Sequence, residues 1–326
     1  LETLPEQERE RLYKGWLLSL ARNSAIFSLF DEVAEIALSN GIKMIPIKGL
    51  LLERTIYGNN GLRQMNDLDI LTSPDNAFKL REILLQKGFE SIPFISPIHK
   101  YFMHSYGKHM PEMYKKGLSL EIHFRLFRDR NNALTKEMID LSWEKFPEGN
   151  SVTFSPPVAH NFLYLVKHLL WHEKTGNSQL RLYCDLILLI EKYGKNLLNE
   201  NLFSLAQRLK MDSDLRMVLG LLQEFFGVET EAYGNLSETS ANEFLKFLYS
   251  PKNNPADDKK SPFLDQIENI QGVHHKILYA IGMLFPSFTF MKWRYGAATK
   301  LRTIPYYFKR WFDFVSGGSE KRRGPV

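Results

Sequence analysis

The chain has 326 residues, 44% of them hydrophobic and 24% charged, ordinary globular proportions that exclude wholesale disorder and suggest about two domains with cores of their own. Its net charge of +5 is not spread evenly: from Lys292 onward nine basic residues face two acidic ones, so the preceding chain is slightly acidic and the basicity belongs to the C-terminus. The single cysteine, Cys184, excludes an internal disulfide and a cysteine-based zinc cluster, and fits a reducing, cytoplasmic setting.

Apolar residues recur at helical spacing through Leu12, Trp16, Leu17 and Leu20, then through Ile26, Phe27, Phe30, Val33, Ile36 and Ala37. They predict a helix over 6–40, stopped by Asn40-Gly41. Ile42–Ile47 reads as a short strand, and a helix-like stretch, Leu50–Tyr57, follows Lys48-Gly49. After the turn at 58–61, Leu68–Leu71 is a second strand, and Ala77–Lys87 an amphipathic helix closed by Gly88. Met113-Tyr114 and Leu118–Leu126, joined through Lys115-Lys116-Gly117, form a hairpin pattern. In its second arm Leu120, Ile122, Phe124 and Leu126 alternate with Ser119, Glu121, His123 and Arg125, so the two sets lie on opposite faces.

Beyond Gly149 the strands give way to helices, predicted at 158–173, 179–193, 201–209, 213–226, 240–249 and 262–284, with a loop over Ser250–Ser261. The fold class is α+β: a small mixed sheet flanked by helices over 1–150, then an all-α domain over 151–326. The best candidate for a membrane span, Ile277–Trp293, is broken by Pro286 and ends in charge, so no transmembrane helix is predicted. No charged-then-apolar leader opens the sequence.

The segment that carries chemistry is Ile47-Lys48-Gly49 with Asp67-Leu68-Asp69-Ile70-Leu71. Aspartates at i and i+2 of a strand share one face and repel unless a cation lies between them. Such oxygen-rich pairs suit Mg²⁺, which takes one or two carboxylates together with substrate phosphates. A glycine at a helix start leaves backbone N–H groups free and lets a phosphate approach. Glu121, on a neighbouring strand, is the candidate third acid.

These features resemble the nucleotidyltransferase superfamily of the DNA polymerase β type. They are closest to an uncharacterised bacterial family with a Lys-Gly motif and then Arg-x-x-x-Asp-x-Asp: here Pro46-Ile47-Lys48-Gly49, Tyr57, Arg63, Met65–Leu71 and Glu121-Ile122-His123. The helical segment with His160, His168, His172 and Asp185, and the stretch from Phe285-Pro286-Ser287 to Arg294-Tyr295, are similar too, so the resemblance spans most of the chain. It implies transfer of a nucleoside monophosphate from an NTP, ATP among them, to an acceptor hydroxyl, with release of pyrophosphate. Asp67, Asp69 and Glu121 would hold Mg²⁺ or Mn²⁺, with Glu121 alternatively taking the acceptor proton. Gly49 would contact phosphate oxygens, and Lys48 or Arg63 would neutralise phosphate charge. The acceptor, whether small molecule, RNA or protein, is not written in the motif. Two alternatives stand beside this reading: a toxin-like transferase acting on tRNA or other RNA, and a nucleotide-binding protein without turnover.

Plainer roles stand beside these. Lys48 could serve only as counter-ion to an aspartate, Arg63 only as a brace for the loop before Asp67, and Glu121 only as partner of Arg125. His123 is read as a hydrogen-bonding or binding residue on the acidic face. His168 and His172 at i, i+4 could chelate a metal but lack a third ligand, so a place lining the interdomain cleft is preferred. Asp185 either touches nucleotide or acceptor or pairs with Arg181 along its helix. The basic tail, with Trp293, Tyr295, Tyr306, Tyr307, Phe308, Trp311, Phe312 and Phe314, is read first as a helix packing its aromatic face into the core. RNA, a membrane surface or another anionic partner are the alternatives, and the end from Ser316 reads as frayed.

Overall fold

The computed structural model describes residues 4–58, 61–128, 132–145, 147–148, 152–175, 179–230, 237–249, 267, 270–296 and 299–315. The predicted loop Ser250–Ser261, most of the start of the predicted helix at 262–284, and the end from Ser316 lie outside them.

The long helix α1 (Glu6–Ser39) forms as its apolar spacing predicts, and buries Ile26, Leu29, Phe30, Val33 and Ala37 along one stripe. Its first half stands clear of the core, with Leu12, Leu17 and Leu18 exposed. The strand predicted at 42–47 is reduced to β1 (Ile45–Pro46); the chain then turns at once into α2 (Lys48–Thr55). β2 (Asp67–Leu71) and α3 (Pro74–Gln86) follow, the helix opened by Ser73-Pro74 as turn chemistry favours. β3 (Glu90–Ser91), α4 (Pro97–Tyr106) and α5 (Ala133–Lys145) are additions to the predicted elements. β4 (Met113–Lys115) and β5 (Leu118–His123) are the predicted hairpin, its second arm three residues shorter than expected.

The five strands form one mixed sheet in the order β1-β2-β5-β4-β3. Its central pair, β2 and β5, is parallel, in a register that sets Asp67 beside Ser119, Asp69 beside Glu121 and Leu71 beside His123. Leu68, Ile70, Leu120 and Ile122 therefore face α1 and α3 in one core, with Val33, Leu80 and Leu84. The alternate face is turned toward the helical region and carries the acids.

That region is built from α6 (Val158–Lys174), α7 (Leu180–Tyr193), α8 (Glu200–Arg208), α9 (Asp212–Phe226) and α10 (Glu238–Tyr249), all close to their predicted spans. Its core is continuous with the second face of the sheet: Ile45, Ile47, Leu52, Leu71 and Leu126 pack in one cluster with Leu134, Phe162, Leu163, Leu186 and Val218. Residues 152–154 run beside Met44, whose N–H donates to Val152 and whose carbonyl accepts from Phe154. Three further helices, α11 (Val273–Leu284), α12 (Phe288–Tyr295) and α13 (Lys300–Val315), complete the described chain. α11 packs on α4 through Phe102 and Tyr279. Among the described residues no helix is long and apolar enough to cross a membrane.

A buried ion pair ties the sheet region to α7. Arg63 donates to both oxygens of Asp185, Nε to Oδ1 at 3.0 Å and Nη2 to Oδ2 at 2.8 Å, and the Tyr57 hydroxyl donates to Oδ1 at 2.9 Å. Removing one member of such a pair strands a buried charge. Arg63→Ala is expected to lower the free energy of unfolding in urea by about 3–5 kcal/mol, and Tyr57→Phe by about 1 kcal/mol. Equal small effects from both would show that the pair is solvated.

A second prediction concerns pH. Burial, with Glu243 nearby, pushes the Glu173 carboxyl up to about 7, while the Tyr183 hydroxyl donates to it. An acid whose folded pKa exceeds its unfolded value costs stability as pH rises between the two, and the cost is constant above the upper one. Glu173→Gln should therefore raise the melting temperature by about 2–4 °C at pH 8 and give no gain near pH 4, read by thermal denaturation across pH. A gain of the same size at both pH values would contradict this.

Candidate active site

The parallel register of β2 and β5 concentrates negative charge. Asp69 is almost fully buried and lies directly beside Glu121, with Asp67 on the same face one pleat away. At such spacing in a low-dielectric setting, like charges cost several kcal/mol unless compensated, roughly.

Two side chains provide the compensation. Lys48 Nζ lies 2.7 Å from Asp69 Oδ1 and 3.9 Å from Glu121 Oε2. His123 Nε2 lies 2.7 Å from Asp69 Oδ1 and 3.1 Å from Glu121 Oε2. Burial alone would raise the Asp69 pKa, but Lys48 and the His123 hydrogen bond outweigh it and hold the carboxyl at about 2. Burial also works upward on Glu121, and His123, then His109 and Lys48, keep it well below the carboxylate range. Burial works against the Lys48 charge, yet the surrounding carboxylates hold that pKa above its ordinary value. Asp67 gains least: the Asp69 charge, then burial, push it up to about 6.

The backbone that delivers Lys48 is unusual. Ile47 is extended and its N–H donates to the Asp69 carbonyl, after which Lys48 adopts φ +52°, a left-handed conformation uncommon for a side chain of this size. Such conformations persist only where surrounding contacts hold them, here the contact between Nζ and Asp69. Gly49 has an ordinary φ; its constraint is space, because a Cβ there would sit 3.0 Å from both Arg63 Nη1 and Met65 Cγ. The N–H groups of this first helical turn have no intrahelical acceptor.

A second, fully buried carboxylate, Glu53, shapes the loop that leads to Asp67. It accepts from the N–H groups of Gly61 (2.6 Å) and Arg63 (3.1 Å) and from Asn23 Nδ2 (3.1 Å). Asn23 also donates to the Arg63 carbonyl, and Arg22 donates to the carbonyls of Met65 and Asn66. Sequence reasoning missed this clasp; its only signal was an acid directly after the apolar run Leu50-Leu51-Leu52.

The structure thus brings Asp67, Asp69, Glu121, Lys48 and His123 together, with Gly49 at the adjoining helix start. His168 is nearby on α6, where burial, then the Lys48 charge, keep its imidazole neutral; its ring lies 5.8 Å from Tyr164 and 4.5 Å from His172. Arg63 and Asp185 are engaged with each other. Asp185 therefore does not form the intrahelical pair considered for it: Arg181 donates to the Gln64 carbonyl instead. Arg125 donates to the carbonyls of Gly107 and His104 rather than pairing with Glu121. Three residues near the site carried no readable signal. Tyr164 is fully buried close to the acids and Lys48, His109 packs 5.3 Å from the His123 ring, and burial lowers Lys108 to about 8.

Among the described residues, Asp69, Glu121 and His123 form a group whose ligand atoms lie within 4.8 Å of one another and could hold a metal ion. Two carboxylates with a third alongside are the hard-oxygen donors that Mg²⁺ and Mn²⁺ take, and the imidazole nitrogen is a donor Mn²⁺ accepts readily. Because Asp67 is charged against Asp69 without a close cation of its own, Asp67→Asn is expected to raise the melting temperature in EDTA by about 2–4 °C. A loss of stability on that substitution would show that Asp67 is already compensated.

No curated protein and no solved structure matches the chain. A protein family described as "uncharacterised nucleotidyltransferase" matches residues 1–227, a span that includes every residue of the acidic site and its buried clasp. On that match the chain belongs to this nucleotidyltransferase family and is a transferase.

Proposed function

We propose that the protein transfers a nucleoside monophosphate from an NTP to an acceptor hydroxyl and releases pyrophosphate. The observation that carries the reading is the in-register placement of Asp69 beside Glu121, with Lys48 between them and Asp67 on the same face. Asp67, Asp69 and Glu121 are the residues to hold Mg²⁺ or Mn²⁺. When bound, the ion supplies charge neutralisation of the triphosphate and a lower pKa for the attacking hydroxyl.

The remaining roles fall to the chain itself. The free N–H groups at the start of α2 and the Lys48 ammonium receive phosphate oxygens. His123, bonded to both Asp69 and Glu121, keeps them deprotonated and oriented, and a carboxylate held so far below its ordinary range is a weak base, so Glu121 serves as a ligand. Arg63 acts through position: clamped to Asp185, it packs against Gly49 and fixes the loop before Asp67. His168 and Tyr164 on α6 form the wall opposite the sheet. The division into a catalytic unit over 1–150 and a helical unit that closes the cleft over 151–326 belongs to the same reading. The acceptor oxygen attacks the α-phosphorus, the bond to the β-phosphate oxygen breaks, and the acceptor proton leaves to solvent or a nearby base.

The test is incubation of the protein with each α-labelled NTP, a divalent cation and a cell extract, followed by fractionation into RNA, protein and small molecules. Label should be retained in one fraction, with pyrophosphate released in step. Asp69→Asn should lower retention by about three orders of magnitude, and Lys48→Met by about one to two. Tight nucleotide binding with no label transferred to any fraction would reduce the protein to a nucleotide binder.

A further inference from the structure

The C-terminal helix α13 is amphipathic but docked the opposite way from a core helix. At about 100° per residue, Leu301, Ile304, Pro305, Phe308 and Phe312 fall on one stripe. In a globular protein that stripe faces inward. Here Leu301 is 79% exposed, Ile304 50%, Phe308 62% and Phe312 71%, while Thr303 and Arg310 on the opposite side are buried. The helix is held by its polar and aromatic shoulders: Trp311 Nε1 donates to the Leu284 carbonyl (2.7 Å) and the Tyr307 hydroxyl to the Pro286 carbonyl (2.8 Å). Tyr306 stacks on Tyr295 at 4.6 Å, and Arg310 lies over the Phe290 ring at 5.3 Å. The expected packing of the tail's aromatics is therefore met by Tyr306, Tyr307 and Trp311, and the apolar stripe is left outside.

A second exposed stripe runs along α11 through Val273, Ile277 and Ile281 to Phe285. The two meet at Trp311, whose ring is 5.6 Å from Phe285 and 5.5 Å from Phe308. The charge beside this joint surface is mainly basic: residues 270–312 contain no aspartate or glutamate, and α11 and α13 carry Lys276, Lys300, Arg302 and Lys309. On α13, Arg302 and Lys309 fall on one side of the stripe, with Asp313 as the one acid there, and Lys300 on the other.

We propose that this face binds the surface of an anionic lipid bilayer, with the stripe entering the headgroup–acyl boundary and the flanking bases pairing with lipid phosphates. Outward apolar side chains bordered by bases match that interface. A second copy of the chain would bring like-charged flanks together, and Leu301 and Ile304 offer no plane on which a base of RNA could stack. Because α11 is packed on α4, the same contact would hold the acidic site at a fixed distance from the lipid.

The test is cosedimentation of the whole chain with sucrose-loaded vesicles of phosphatidylcholine alone and of phosphatidylcholine with phosphatidylserine. Binding is expected for the phosphatidylserine vesicles and should weaken as salt rises. Phe308→Asp should reduce it by more than about tenfold, and Arg302→Ala by about fivefold. Both side chains are exposed, so both variants should melt with the parent protein. Absence of binding to either vesicle would overturn the proposal. So would binding that neither substitution alters, or a concentration-dependent dimer that Phe308→Asp dissolves.

Discussion

Two carboxylates set side by side on adjacent parallel strands are the constraint to which the rest of the sheet region responds. Asp69 and Glu121 are far apart in the chain, and the β2–β5 register makes them neighbours on a face largely closed to water. Left alone they would oppose folding. The protein meets the cost with Lys48 and with a fully buried imidazole, His123, which bridges both acids through one ring nitrogen. The left-handed backbone at Lys48 follows from this arrangement, since it carries the ammonium from the end of β1 back over Asp69. Asp67 is the member least served, and its raised pKa marks where an added positive charge would be most favourable.

Position is maintained by a second layer of buried polar contacts. Glu53 and Asn23 seize the loop between α2 and β2 through its backbone groups, and Arg22 holds its end. Arg63 then spans from this loop to Asp185 on α7, so the segment feeding Asp67 is fastened both to α1 and to the helical region. These groups are satisfied by several partners at once, which makes the loop geometry stiff and any single truncation expensive. Asp67 and Asp69 thus sit on a strand whose entry is locked from two sides, as preorganised charge stabilisation requires.

Much of this was legible in the sequence. The alternation around Asp67 and Asp69, and around Glu121, gave the strands and the shared acidic face, because a period of two is a direct consequence of the pleat. Helical spacing gave α1, α3 and α6–α9. What escaped reading has physical causes. α4 buries a polar His99 beside Phe102, so its apolar pattern is weak, whereas α5 does bury Leu134, Met138 and Ile139 at helical spacing. β1 is cut short because the chain must leave the sheet to present Lys48. His123, which alternation placed on a polar face, is wholly buried with the His109 ring packed against it, and one strand's pattern holds no information about what lies across it. The pairing of Arg63 with Asp185 overrode the local i, i+4 choice of Arg181 for the same reason.

Gripping a divalent cation against a triphosphate is the task we propose for Asp67, Asp69 and Glu121. The most direct measurement is a crystal structure with Mn²⁺ and a non-hydrolysable NTP, phased to show anomalous scattering. A Mn²⁺ peak is expected at bonding distance from Asp69 and Glu121, with Lys48 moved off Asp69 toward a phosphate. A triphosphate bound elsewhere, or a peak absent while Lys48 and His123 keep their contacts with Asp69, would contradict it.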